Sequence, residues 1–111
     1  MQTHDIEKQI NKLYKTSKNK KNALEAKQAK EVMEEIIRTF RMLDIFMNEH
    51  HTDIVQRIYF TRWNIVQIGV RAMAFRIFMP ERTLYKYRQK YCAIIAEILK
   101  ANARQIRKII L

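Results

Sequence analysis

One glycine and one proline in 111 residues leave this chain few places for tight turns. That scarcity excludes a hairpin-rich sheet and a glycine-rich phosphate loop as its organising features. The single Cys92 rules out an intrachain disulfide. No uncharged apolar run approaches the roughly 18 residues that cross a bilayer, and the longest, from Trp63 to Val70, is too short. The opening MQTHDIEKQINK lacks the apolar stretch of a secretory signal, so a cytoplasmic location with no membrane partner is expected. What remains is 48% hydrophobic and dominated by residues that lose little on entering a helix. An all-α fold follows, with enough chain for one domain and a modest core.

Charge is unevenly spread within the net +11. Residues 1–22 carry six Lys and two acids, a net +4, and residues 23–53 carry four bases and seven acids, a net −3. Residues 54–111 carry twelve bases and two acids, a net +10. A polyanion is therefore expected at the C-terminal half. Nucleic acid, an anionic membrane surface and a merely solvated basic face all fit this charge alone.

Hydrophobic spacing divides the chain further. Ile6, Ile10, Leu13 and Tyr14 predict a short helix from about Asp5 to Lys15. The run from Lys15 to Asn22 has no apolar residue and reads as a basic linker, or as an arm that touches phosphates, so that 1–22 forms one unit. Over 23–50, Met33, Ile36, Ile37, Phe40, Leu43 and Met47 recur at three and four residues and mark a long amphipathic helix, Ala23 to Met47. It serves as a brace or a dimerisation helix. Thr52 is placed to cap a helix from Asp53 to Phe60 that buries Ile54, Val55, Ile58 and Tyr59. A connection over Thr61–Asn64, an apolar helix from Ile65 to Ile77 and a last helix set by Pro80 complete a unit spanning 52–100. The tail, 101–111, is basic and apolar, with Ile106, Ile109, Ile110 and Leu111 beside Arg104, Arg107 and Lys108; it packs on another helix or lies on an anionic membrane.

On a wheel of the last helix, Tyr87, Tyr91, Ile94, Ile95 and Ile98 fall within about 80° of Leu84 and form its buried side. Arg82, Lys86 and Gln89 fall near the opposite pole, flanked by Tyr85 and Lys90. Arg and Lys suit guanine edges and phosphates, and Gln suits adenine, so this face has the chemistry of a major-groove reader. Arg88 lies about 40° from Leu84, so its stem follows the core edge and its head reaches for a phosphate. Such a reader follows a short helix and a tight turn, as the run from Ile65 through Phe78, Met79 and Pro80 provides.

The run Ala74-Phe75-Arg76-Ile77-Phe78-Met79-Pro80-Glu81-Arg82-Thr83-Leu84-Tyr85-Lys86-Tyr87-Arg88 resembles the helix-turn-helix of sigma-factor region four. Among its relatives it is most similar to small phage and prophage transcriptional regulators of the ArpU type. That family has a small residue where Ala74 stands, an apolar-Gly-apolar turn, and Ser-x-x-Thr-apolar opening the recognition helix. Ala74, Met79, Thr83 and Leu84 fit; Phe78 replaces the usual Gly, and Pro80 the capping Ser. The resemblance covers about residues 52 to 100. It implies that Arg82, Lys86 and Gln89 read bases of double-stranded DNA, that Thr83, Tyr85 and Lys90 touch the backbone, and that the protein contacts RNA polymerase.

Other chemistry is set aside. His4, His50, His51 and Cys92 lack the spacing of a zinc site, Cys92 reads as a structural thiol, and Glu31, Glu34 and Glu35 read as a solvated face. Phe75 and Phe78 are expected to wedge between the helices of the motif. The sequence therefore predicts no enzyme, no metal and no cofactor. It predicts a DNA-binding regulator with a C-terminal helix-turn-helix, possible as a homo-oligomer. The alternatives are a small-terminase-like packaging subunit and a helical interaction module with a basic face.

Overall fold

Helix formation starts at α1 (Thr3–Ser17), whose Ile6, Ile10 and Leu13 are buried. The computed structural model describes residues 2–110, so Leu111 of the expected apolar tail lies outside the described residues, as does Met1. Thr16 and Ser17 were expected in the linker but continue the helix. The Thr16 hydroxyl donates to the Lys12 carbonyl at 2.8 Å, and Ser17 is buried. The connection to the next helix is thus confined to residues 18–22. It ends at Asn22, whose side-chain oxygen accepts the Glu25 N–H at 3.1 Å and caps α2.

α2 (Ala23–Met47) has the bounds its periodicity predicts. Its buried stripe is Ala26, Ala29, Val32, Ile36 and Phe40, with Met33 and Leu43 packed at the margin. Met47 leaves the expected stripe and is exposed, because α2 runs on past the core after Leu43. Asn48 closes the helix in the left-handed region at φ 52°.

α3 (His51–Tyr59) begins two residues before its expected start, and Thr52 is not its cap. Asp44, from the last turn of α2, does that work across the corner. Its two carboxylate oxygens accept the His51 N–H at 2.7 Å, the Thr52 N–H at 2.8 Å and the Thr52 hydroxyl at 2.6 Å. Burial pushes the Asp44 carboxyl up, but these bonds outweigh it and hold the group below its ordinary value. α3 buries Val55, Ile58 and Tyr59, while Ile54 is half-buried.

The single apolar helix expected over Ile65–Ile77 is two helices, α4 (Ile65–Ile68) and α5 (Val70–Arg76). Gly69 separates them at φ 88°, a conformation that costs a side-chain-bearing residue energy and glycine almost none. Asn64 fixes the start of α4. Its Oδ1 accepts from Val66 N–H at 3.0 Å, and its Nδ2 donates to Asn11 of α1 at 2.9 Å. The next helix, α6 (Glu81–Ala101), runs uninterrupted for 21 residues, and α7 (Ala103–Ile110) turns back from it at Asn102.

All described elements are helices, and one hydrophobic cluster takes side chains from each of them. α1 and α2 pack together, α6 crosses both, and α7 docks on the same pair through Ile106 and Ile109. Two acids expected on a solvated face help to seat α7: Glu35 accepts from Asn102 at 3.2 Å and Glu31 from Gln105 at 2.9 Å. No helix among the described residues is long and apolar enough to cross a membrane.

Candidate nucleic-acid interface

The turn between α5 and α6 is built from backbone before any side chain enters. The Phe78 N–H donates to the Phe75 carbonyl at 3.3 Å, and the Met79 N–H reaches back to the Ala74 carbonyl at 2.9 Å. This pair of bonds is the Schellman ending of a helix, which requires a left-handed residue at the position of Phe78. Phe78 takes φ 55° there. The chain therefore adopts at phenylalanine the backbone form that the resembling family usually assigns to glycine.

Neither Phe75 nor Phe78 wedges between the motif helices, contrary to expectation. Phe78 is 93% exposed and Phe75 is 84% exposed, because the space under the turn is already filled by Met73, Ala74 and Leu84. Holding a bulky residue in the left-handed region costs about 1–2 kcal/mol, and Phe78 recovers none of it by burial. Phe78→Gly is expected to raise stability by about 0.5–1 kcal/mol after glycine's greater unfolded-state entropy is subtracted. Phe78→Ala, which keeps the strain, is expected to be near neutral. Denaturant midpoints at unchanged slope measure both.

α6 leaves the turn without a side-chain cap, since Pro80 stands in the N-cap position with extended dihedrals. The amide groups of its first turn consequently face outward at the positive end of the helix dipole, next to the one acid, Glu81. Leu84 anchors this turn at zero exposure. Arg82, Tyr85, Lys86, Gln89 and Lys90 are exposed along the outer side, and Thr83 is half-buried at its edge. Gln89 donates through Nε2 to the Tyr85 hydroxyl at 2.8 Å, so these two form one hydrogen-bonding unit. Arg82 and Lys86 lie on the same outer face as that unit, with no carboxylate within 4.0 Å among the described residues.

Arg88, expected to reach DNA phosphate, is turned into the protein. Its Nε and Nη2 donate to the two oxygens of Glu7 at 2.9 and 2.6 Å. Glu7 is 2% exposed and also accepts the Tyr59 hydroxyl at 2.7 Å. The Glu7 hydrogen bonds raise the Arg88 pKa above its ordinary value against the opposing effect of burial. Cys92 sits beside this network at 3.3 Å from the Tyr59 hydroxyl, and burial pushes its thiol up to about 11. A thiol held protonated in this way is a packing group.

Lys90 is half-exposed, and its ammonium lies 3.7 Å from Glu49 and 3.2 Å from His51 Nε2. His51 is buried against Tyr91, whose hydroxyl is 2.8 Å from Nδ1, and pairs with Glu49 through Nε2. The His51 bond is the main cause of the lowered Glu49 pKa, with Lys90 adding to it. A phosphate at Lys90 would therefore compete with Glu49. The wheel could not register either carboxylate partner, because Glu7 and Glu49 lie on other elements.

A second basic surface joins Lys15 and Lys18, from the run read as a linker or a phosphate-touching arm, to residues that the sequence did not single out. Tyr14, Lys15 and Lys18 at the end of α1 line a groove of about 440 Å³ with Arg62, Trp63 and Gln67. The Lys18 ammonium lies 5.6 Å from the Tyr14 ring centre, and the Arg62 guanidinium 5.2 Å from that of Trp63. Arg76, at the end of α5, donates to the Trp63 carbonyl at 2.9 Å and ties this corner to the motif. The available signal was the Arg62-Trp63 pair, which reads as an ordinary connection until α1 is placed beside it. Family models, curated proteins and solved structures were compared with the chain, and none matches it.

Proposed function

We propose that this protein is a sequence-specific DNA-binding transcriptional regulator of the phage type that its motif resembles, reading the major groove with the N-terminal half of α6. The observation that carries this reading is the α5–α6 turn. It keeps the left-handed residue and Schellman bonds of a helix-turn-helix although phenylalanine occupies the glycine position. A turn retained at an energetic cost is easier to explain by what it positions than by the packing it provides. What it positions is an anchored helix start followed by Arg82, Lys86 and the Tyr85–Gln89 unit on one exposed face.

Affinity in this reading comes from Lys and Arg displacing counterions from DNA, and selectivity from base edges met by Arg82, Lys86 and Gln89. Arg88 is assigned to the fold and has no role at the DNA. Thr83 and the first-turn amides of α6 are placed for backbone contacts, and Lys90 contributes only when it leaves Glu49.

Duplex selection at near-physiological salt tests the proposal on the wild type and on the Arg82→Ala, Lys86→Ala double variant. The wild type is expected to enrich one motif, and the double variant to lose about tenfold or more in affinity for it per residue removed. Its melting temperature should stay unchanged, since both side chains are exposed. Absence of enrichment, or equal binding by the two proteins, would reject base reading by α6 and leave a basic interaction module.

A further inference from the structure

We infer that the groove between the end of α1 and the α3–α4 connection binds the phosphate backbone of double-stranded DNA, as a contact separate from α6. Its cations come from distant parts of the chain, Lys15 and Lys18 from the end of α1 and Arg62 from the connection. All three are exposed, and none has a carboxylate within 4.0 Å among the described residues. No Asp or Glu lines the groove. Arg76 brings a further exposed cation to its edge through the bond to the Trp63 carbonyl. Gathering like charges with no acid between them raises the energy of the free protein, and a bound polyanion removes that penalty.

The groove rests on a fixed floor. Asn64 is 2% exposed and Asn11 9%, and the bond between them at 2.9 Å locks the connection onto α1. Two of the cations are held by rings, Lys18 over Tyr14 and Arg62 over Trp63. A guanidinium laid against a ring keeps its N–H edge for the two oxygens of one phosphate. Arg62 therefore supplies a directed contact, and Lys15 and Lys18 supply charge on the opposite wall.

Charge density and the use of the rings select a duplex as the occupant. Double-stranded DNA presents one negative charge per about 1.7 Å of its axis, and cations on two walls of one groove match such a dense row. Each ring already carries a cation of its own chain, so the groove offers charge in place of a platform on which unpaired bases stack. This contact goes beyond base reading by α6 and does not require it. Where both hold, the groove adds affinity and leaves the selected sequence unchanged.

Binding of the full chain to a random-sequence duplex, titrated over a range of salt concentrations, tests the inference. The Lys15→Gln, Lys18→Gln, Arg62→Gln variant is expected to bind about tenfold or more weakly, and its slope of log affinity against log salt should flatten by about two to three. Its helical signal should stay unchanged, since all three side chains are exposed. Lys27→Gln, Lys30→Gln, Arg38→Gln removes the same charge from exposed positions of α2 and should leave the slope as in the wild type. The groove variant should lose the same factor in the Arg82→Ala, Lys86→Ala background, which separates failure of the groove from failure of base reading by α6. Equal losses in the two triple variants would overturn the inference. So would an unchanged slope in the groove variant, or tighter binding of a single-stranded oligonucleotide or of polyglutamate than of the duplex.

Discussion

Replacing Arg88 with alanine is expected to remove about 3–5 kcal/mol of stability, the cost of stranding a buried charge. Domains of this size are held by about 5–15 kcal/mol in total, so the variant should melt roughly 10–20 °C lower. The physical reason lies in Glu7, which is 2% exposed and whose carboxylate oxygens accept the bidentate Arg88 contact and the Tyr59 hydroxyl. Removing the guanidinium leaves the carboxylate with one donor. Glu7→Gln in the Arg88→Ala background should recover part of the loss, because a neutral amide is cheaper to bury than a carboxylate. Thermal melts of the two variants measure the difference, and equal melting temperatures would mean that the pair contributes no charge-specific stability. On the proposed DNA-binding reading, the affinity of Arg88→Ala, taken well below its melting temperature, should match the wild type.

Phe40→Ala is expected to cost a further large amount, about 3–5 kcal/mol, whereas Phe46→Ala on the same helix should change monomer stability by less than about 0.5 kcal/mol. Phe40 is 1% exposed and meets the Tyr91 ring edge-on, with centroids 5.3 Å apart. Tyr91 in turn stacks on Tyr87 at 5.5 Å and bonds His51, so the ring of Phe40 supports the wall against which α3 begins. Six residues on, Phe46 has no such neighbours. Denaturant unfolding at a concentration where the chain is monomeric gives both values, and a large loss at Phe46 would show that the end of α2 is part of the monomer core.

The extent of α2 was legible because twenty-five residues of regular apolar spacing leave no competing structure, although its cap, Asn22, was read only as the end of the linker. The start of α3 was not, since Thr52 fits the local capping pattern and only the corner geometry brings Asp44 to the same amides. Gly69 was hidden for a related reason: one glycine within an apolar run interrupts no periodicity, yet it splits the helix. At the candidate interface, the wheel separated the outer face of Arg82, Lys86 and Gln89 from the inner face of Leu84 and Tyr91. It placed Arg88 at the boundary, where the outcome depends on Glu7, 81 residues away. Phe75, Phe78 and Met47 were misassigned because hydrophobicity states a preference for burial and carries no information on whether a neighbour is present.

The same separation between Glu7 and Arg88 governs how the chain is made. α1 leaves the ribosome before α6, so the Glu7 carboxylate waits 81 residues for its partner Arg88, and Asn11 waits for Asn64. Until then α1 and α2 hold an apolar seam and an unpaired acid that no local contact can satisfy. Closing a segment of this length costs little more chain entropy than closing one half as long, so the final structure is not penalised. The timing is different: the core can be completed only when α6 is free, and the nascent chain must carry its exposed apolar stripe until then.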